Sequence, residues 1–110
     1  MKEYTQLTFN ELDNISGGNC KQTSDDSKFL QTLNHSCQRY GVWRIRNQAH
    51  GKEIEEAWKT VGVECKCHRG GGKKNENEYW VNGQRVTQAQ ARAYAMDYVG
   101  KYLADDDWNY

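Results

Sequence analysis

From residue 27 onward the apolar positions change period several times, and each change marks an element. Phe29, Leu30, Leu33, Cys37 and Tyr40 recur at helical spacing and Gly41 marks a stop, which predicts a helix starting near Ser27. Val42 to Arg46 alternates, with Trp43 and Ile45 on one face and Arg44 and Arg46 on the other, the pattern of a short strand with one wet side. Ile54, Ala57, Trp58 and Val61 return to helical spacing and predict a second helix over Gly51 to Thr60. Val61, Val63, Cys65 and Cys67 alternate again, as a strand that sends both thiols to one face. Tyr79 to Val81 and Gln84 to Val86 flank Asn82-Gly83, and both turn residues tolerate the positive φ that a tight hairpin demands. Thr87 with Gln90 forms a capping box that opens a helix carrying Ala91, Tyr94, Ala95, Tyr98, Val99, Tyr102 and Leu103. Asp105 to Asp107 would be unfavourable beside the negative end of that helix, so the tail is expected to turn away.

This order of elements predicts an α+β domain with helices packed on one face of a short antiparallel sheet. Asn19 to Asp26, NCKQTSDD, has no periodic apolar residue and reads as a flexible spacer ahead of it. Gly70 to Asn77, GGGKKNEN, is a loop by composition.

The first residues follow a different logic. Thr8 with Glu11 makes another capping box, and Tyr4, Leu7, Leu12 and Ile15 fall on one stripe of the short helix it would start. A stripe so narrow cannot hold a domain together, but it suits the apolar groove of another protein. Gly17 and Gly18 end the helix and, lacking Cβ atoms, can thread a constricted active site in extended form. Counting back from the glycine pair, Ile15 stands fourth, Leu12 seventh, Glu11 eighth and Leu7 twelfth. Together with Tyr4, this spacing resembles the double-glycine leaders of bacteriocin-like precursors, cargo of peptidase-containing ABC transporters.

The resemblance is confined to residues 1 to 18 and implies cleavage between Gly18 and Asn19, after recognition through Tyr4, Leu7, Glu11, Leu12 and Ile15. It divides the chain into a leader (1–18), the spacer (19–26) and a mature cargo domain (27–110). The precursor is then cytoplasmic and its product secreted. The chain itself is a substrate of the transporter's cysteine peptidase rather than an enzyme, and needs no cofactor. A target-cell receptor or an immunity protein would be the mature product's partner. The segment is no Sec-type signal peptide, because it lacks an apolar central region.

Composition narrows the classes further. Only 16 of the 110 residues are Leu, Ile, Val or Phe, so the four Trp and seven Tyr must supply much of any core, bringing polar tips with them. The formal net charge is zero, and residues beyond the leader carry two positive charges, too few for a nucleic-acid-binding surface. No run approaches the ~18 apolar residues of a membrane span, so stable membrane insertion is not expected.

In an exported chain Cys20, Cys37, Cys65 and Cys67 suggest a disulfide framework, each bond worth ~2–4 kcal/mol. Same-face residues two apart on a strand lie roughly 7 Å from one another, so Cys65 and Cys67 are expected to bridge to Cys20 and Cys37 rather than to each other. A zinc site from His35, Cys37, Cys65, Cys67 and His68 is an alternative, although the spacing departs from common zinc modules. A third reading is catalytic: His50 near Glu53 as a general base, with Arg44 and Arg46 holding phosphate, as in a small nuclease-like toxin.

Overall fold

The computed structural model describes residues 18–47, 50–68 and 76–110. Tyr4, Leu7, Glu11, Leu12, Ile15 and Gly17 lie outside these residues. Among the described residues, five helices and three strands follow in order: α1 (Gly18–Asn34), α2 (Val42–Asn47), α3 (Gly51–Lys59), β1 (Glu64–Lys66), β2 (Glu78–Val81), β3 (Gln84–Val86), α4 (Gln88–Val99) and α5 (Asp105–Trp108). The strands form one antiparallel sheet in the order β1-β2-β3, with Cys65 opposite Tyr79 and Trp80 opposite Arg85. The domain is α+β, as the alternating pattern predicts.

Elements with complete local signals stand where the pattern puts them. Asn82 and Gly83 adopt φ of 52° and 80°, closing the β2-β3 hairpin. Arg85, opposite Trp80, holds its guanidinium 5.6 Å from the indole ring centre. Thr87 Oγ1 accepts the Gln90 N–H at 3.1 Å while the Gln90 side chain accepts the Thr87 N–H at 2.9 Å, a complete capping box on α4. In α3 the buried residues are Ile54, Ala57 and Trp58, followed by buried Val61. The chain then reverses at Gly62, whose φ of 79° lets the Val63 N–H reach back to the Trp58 carbonyl at 3.1 Å.

Five expectations are corrected. The segment 19–26 is helical, not a loose spacer: α1 spans Gly18–Asn34, and Cys20, Thr23, Ser24, Asp26 and Ser27 are all buried along it. This buried stripe continues in phase into Phe29, Leu30 and Leu33, and it is invisible to hydrophobic periodicity because its first half is polar. The same helix stops at Asn34 rather than reaching Tyr40. His35 takes φ of 57°, a left-handed residue that ends it, so Cys37 lies on the connector.

Val42–Asn47 is the six-residue helix α2, not a strand. Ile45 points inward with partly buried Val42 three residues before it, while Trp43 is 63% exposed. Five residues of alternation fit both periods, and packing against α1 selects the helical one. Finally, α4 ends at Gly100 (φ 80°), before Tyr102 and Leu103, and the acidic tail folds back instead of turning away. Asp105, Asp106 and Asp107 form the first turn of α5, where negative charge is favourable. Trp108 is thereby inserted edge-on against Phe29 at 5.9 Å. Arg39 secures the tail by donating to the carbonyls of Trp108 (3.1 Å) and Tyr110 (3.0 Å).

Aromatics supply part of the core: Phe29, Tyr40, Trp58, Tyr79 and Trp108 are buried beside Leu30, Leu33, Ile45, Ile54, Val61 and Val63, while Trp43, Tyr98, Tyr102 and Tyr110 stay exposed. Phe29 packs on Trp58 (ring centres 6.0 Å), and Trp58 meets Tyr79 edge-on (5.5 Å). No helix among the described residues is long and apolar enough to cross a membrane.

Candidate functional site

Aromatics in a core bring polar tips that need partners, and here two of those tips converge on one carboxylate. Asp26, fully buried on α1, accepts from Tyr79 Oη at 2.6 Å and Trp58 Nε1 at 3.2 Å through Oδ2, and from Gln88 Nε2 at 2.8 Å through Oδ1. Four elements, α1, α3, β2 and α4, are thus tied at one point. Burial raises the Asp26 pKa to about 6, against the three hydrogen bonds and the nearby Arg92 charge, which favour the ionised form. Beside it, Thr23 Oγ1 accepts from Asn77 Nδ2 (2.7 Å), and Gln22 Oε1 accepts the Asn77 N–H (2.8 Å). An open polar cleft of about 400 Å³ lies over this network, lined by Gln22, Asn77, Tyr79, Arg85 and Gln88.

The sequence reading passed over Asp26 because it counted the segment as spacer. One signal was available: Cys20, Thr23, Ser24, Ser27, Leu30 and Leu33 share a helical phase, with Asp26 on its flank.

A second cluster forms where the α1-α2 connector meets the start of α3. The Ser27 hydroxyl accepts the Tyr40 N–H at 2.9 Å and the Ser24 hydroxyl donates to the Tyr40 carbonyl at 2.7 Å, so two buried α1 serines fix Tyr40. The His50 ring stacks on Tyr40 with centres 3.8 Å apart. Tyr40 Oη donates to Glu53 Oε1 at 2.5 Å, and the Gln38 N–H donates to Glu53 Oε2 at 3.0 Å. His50 Nδ1 is 3.9 Å from Glu53 Oε1, an ion-pair distance when the imidazole is protonated. Arg44 lies over the Tyr40 ring at 5.0 Å. Burial, reinforced by the bond to Glu53, pushes the Tyr40 hydroxyl up to about 12, so it remains a donor at neutral pH. The fold therefore gathers His50 and Glu53 on Tyr40, with Arg44 over the same ring, and the sequence reading did not name Tyr40 for this role.

Of the predicted cleavage residues, Gly18 and Asn19 are the first described residues of α1, and Cys20 directly after them is fully buried. No disulfide joins the four cysteines, so the bridges expected between Cys20 or Cys37 and the Cys65-Lys66-Cys67 segment are not formed in this structure. Cys37 Sγ instead approaches the Ser27 carbonyl at 3.5 Å, and burial followed by the charges of Glu53 and Asp26 pushes its thiol up to about 12. Cys65 and Cys67 hold their sulfurs 3.8 Å apart, nearer than strand geometry leads one to expect. For the zinc alternative, no three His, Cys, Asp or Glu side chains among the described residues are placed to hold a metal ion. His68 Nε2 instead faces Glu78 Oε1 at 3.4 Å.

No family model matches this chain, and neither a curated protein nor a solved structure does.

Proposed function

We propose that the chain is the precursor of a secreted bacteriocin-like protein, recognised through its first 18 residues by a peptidase-containing ABC transporter, cut after Gly18 and exported. The observation that carries this reading is the spacing of Tyr4, Leu7, Glu11, Leu12 and Ile15 ahead of Gly17-Gly18. Anchors three to five residues apart on a short helix can fill an apolar groove, and a Gly-Gly pair can enter a narrow peptidase cleft that any Cβ would block. The transporter supplies the thiol and the ATP; this chain supplies the scissile bond.

The buried position of Cys20 adds a consequence. A peptidase needs the Gly18-Asn19 bond extended, so cutting requires the first turn of α1 to unwind, and the adjacent Cys20 side chain is exposed as it does. Cleavage is therefore expected to speed up in mild denaturant that the peptidase itself tolerates. The test is the intact mass of the precursor after incubation with a transporter peptidase domain. A product beginning at Asn19, lost when Gly17 and Gly18 are both changed to Val, supports the reading. No cleavage by a peptidase that processes its own substrate counts against it.

The cluster around His50 favours a second reading, in which the mature part is an enzymatic, nuclease-like toxin. Glu53 would orient the His50 imidazole as a general base, and Arg44 would offer a cation for a phosphate oxygen. His50→Ala should then abolish activity on a phosphodiester substrate while leaving the melting temperature within a few degrees; unchanged activity removes this reading.

A further inference from the structure

A third cluster, separate from Asp26 and from His50, lies where β1 ends. The ladder stops at Lys66, and the next N–H, that of Cys67, donates to Glu55 Oε2 on α3 at 2.9 Å instead of to a neighbouring strand. That bond draws the chain off its extended course, and the Cys65 and Cys67 sulfurs meet at 3.8 Å. The pair sits against the first turn of α3: a Cβ added to Gly51 would stand 3.4 Å from Cys67 Cβ. Cys37 is engaged elsewhere with Ser27, and Cys20 is enclosed on α1. Each sulfur of the pair therefore has the other as its nearest means of oxidation.

We propose that Cys65 and Cys67 close into a reversible disulfide, a thiol switch at the junction of β1 and α3 that is set by exchange with low-molecular-weight disulfides. In the first step a Cys67 thiolate attacks one sulfur of the small disulfide and expels one thiolate, which leaves as a thiol after protonation. In the second, Cys65 attacks the Cys67 sulfur of the mixed disulfide, loses its proton and releases the second small thiol. The protein gives up two protons and two electrons, and one small disulfide takes them up to become two thiols. Cys67 goes first because the hydrogen bond to Cys67 and burial together hold the Cys65 thiol well above the ordinary range and so protonated.

The geometry also assigns the character of the bond. The sulfurs must close from 3.8 Å to about 2 Å, across a single intervening residue, Lys66. A ring so short constrains the unfolded chain little, so the bridge adds little to the melting temperature. Its strain keeps it easy to reduce. It is a switch, in contrast to the long-range staples that the cysteine count suggests. If the chain is exported, the precursor carries the dithiol and the secreted product the disulfide; that corollary rests on the proposed function, whereas the bridge itself does not.

The experiment needs no transporter. The full chain is equilibrated in a graded series of reduced and oxidised glutathione, quenched in acid, alkylated, unfolded and digested with trypsin. The cut after Lys66 puts the four cysteines on separate peptides, 3–21, 29–39, 60–66 and 67–69. The expected result is a 60–66 to 67–69 pair, about 2 Da lighter than its separate thiol peptides and parted by reductant. It should persist in the Cys20→Ser/Cys37→Ser variant and revert along the same series. Bonds that join 3–21 or 29–39 to either partner overturn the proposal. So does full alkylation of all four thiols at glutathione ratios that oxidise a reference dithiol.

Discussion

The first half of α1 and the outer face of α4 invert the usual relation between polarity and burial. Residues 20–27 contain two serines, a threonine and an aspartate that are almost fully buried, whereas Tyr98 and Tyr102, at and beyond the end of α4, are 59% and 69% exposed. The difference lies in partners. Each buried hydroxyl of α1 whose bonds are described above is bonded to Tyr40 or Asn77, Ser24 as donor and Ser27 and Thr23 as acceptors, and Asp26 has three donors. Polar groups can be buried when every hydrogen bond is made, and such a network then fixes one arrangement of the elements around it. Tyrosine, with its hydroxyl, can equally remain outside: Tyr102 Oη donates to Asp97 at 2.8 Å on the surface.

The largest effect should come from breaking the polar half. Asp26→Ala removes the acceptor of Tyr79 Oη and Trp58 Nε1 and leaves Gln88 Nε2 only the Gln22 carbonyl at 3.3 Å, and a cost of about 3–5 kcal/mol is expected, enough to unfold a small domain. Urea unfolding followed by circular dichroism measures it. A loss below about 1 kcal/mol would mean that the network does not hold the fold.

The protonation of Asp26 sharpens the same point. Its folded-state pKa, about 6, lies above the ordinary 3.8, so the folded protein binds this proton more tightly than the unfolded chain. Stability should therefore rise as pH falls from about 6 to about 4, and the ionised form should cost up to about 3 kcal/mol above that window. Comparing unfolding free energies across the window, in the native chain and in Asp26→Asn, checks the sign: the slope should flatten in the variant.

Gly62 lies against the tyrosines of the α4 face. Its φ of 79° and the Tyr98 and Tyr94 rings, 3.0 and 3.1 Å from where a Cβ would be, both oppose a side chain. Gly62→Ala should cost about 1–2 kcal/mol, read as a lower urea midpoint with an unchanged slope. The smallest effect belongs to the apolar exterior. Tyr102→Ala should change stability by less than about 0.5 kcal/mol, and a loss above 1 would show that this face carries packing.

What was legible in the chain follows the range of the forces involved. The α3 stripe of Ile54, Ala57 and Trp58, the Asn82-Gly83 turn and the Thr87-Gln90 box all depend on residues within a few positions, so the sequence displays them whole. The five residues from Val42 to Arg46 were too short to choose between two periods. The site was less legible still: His50 and Glu53 are near neighbours in the chain, but Tyr40 reaches them, with Arg44 over its ring, only because α2 and α3 both pack on α1.

By itself, then, the sequence determined the Asn82-Gly83 turn, the α4 cap, the amphipathic α3 and the spacing of the first 18 residues, because these arise from neighbouring residues or from composition. Tertiary structure alone decided that 18–27 is helix, that the acidic tail returns to seat Trp108, and that Cys65 and Cys67 face each other. The donors that make Asp26 tolerable stand 32, 53 and 62 residues away along the chain. No local pattern can announce such a burial, since its cost is offset only when those distant groups arrive together.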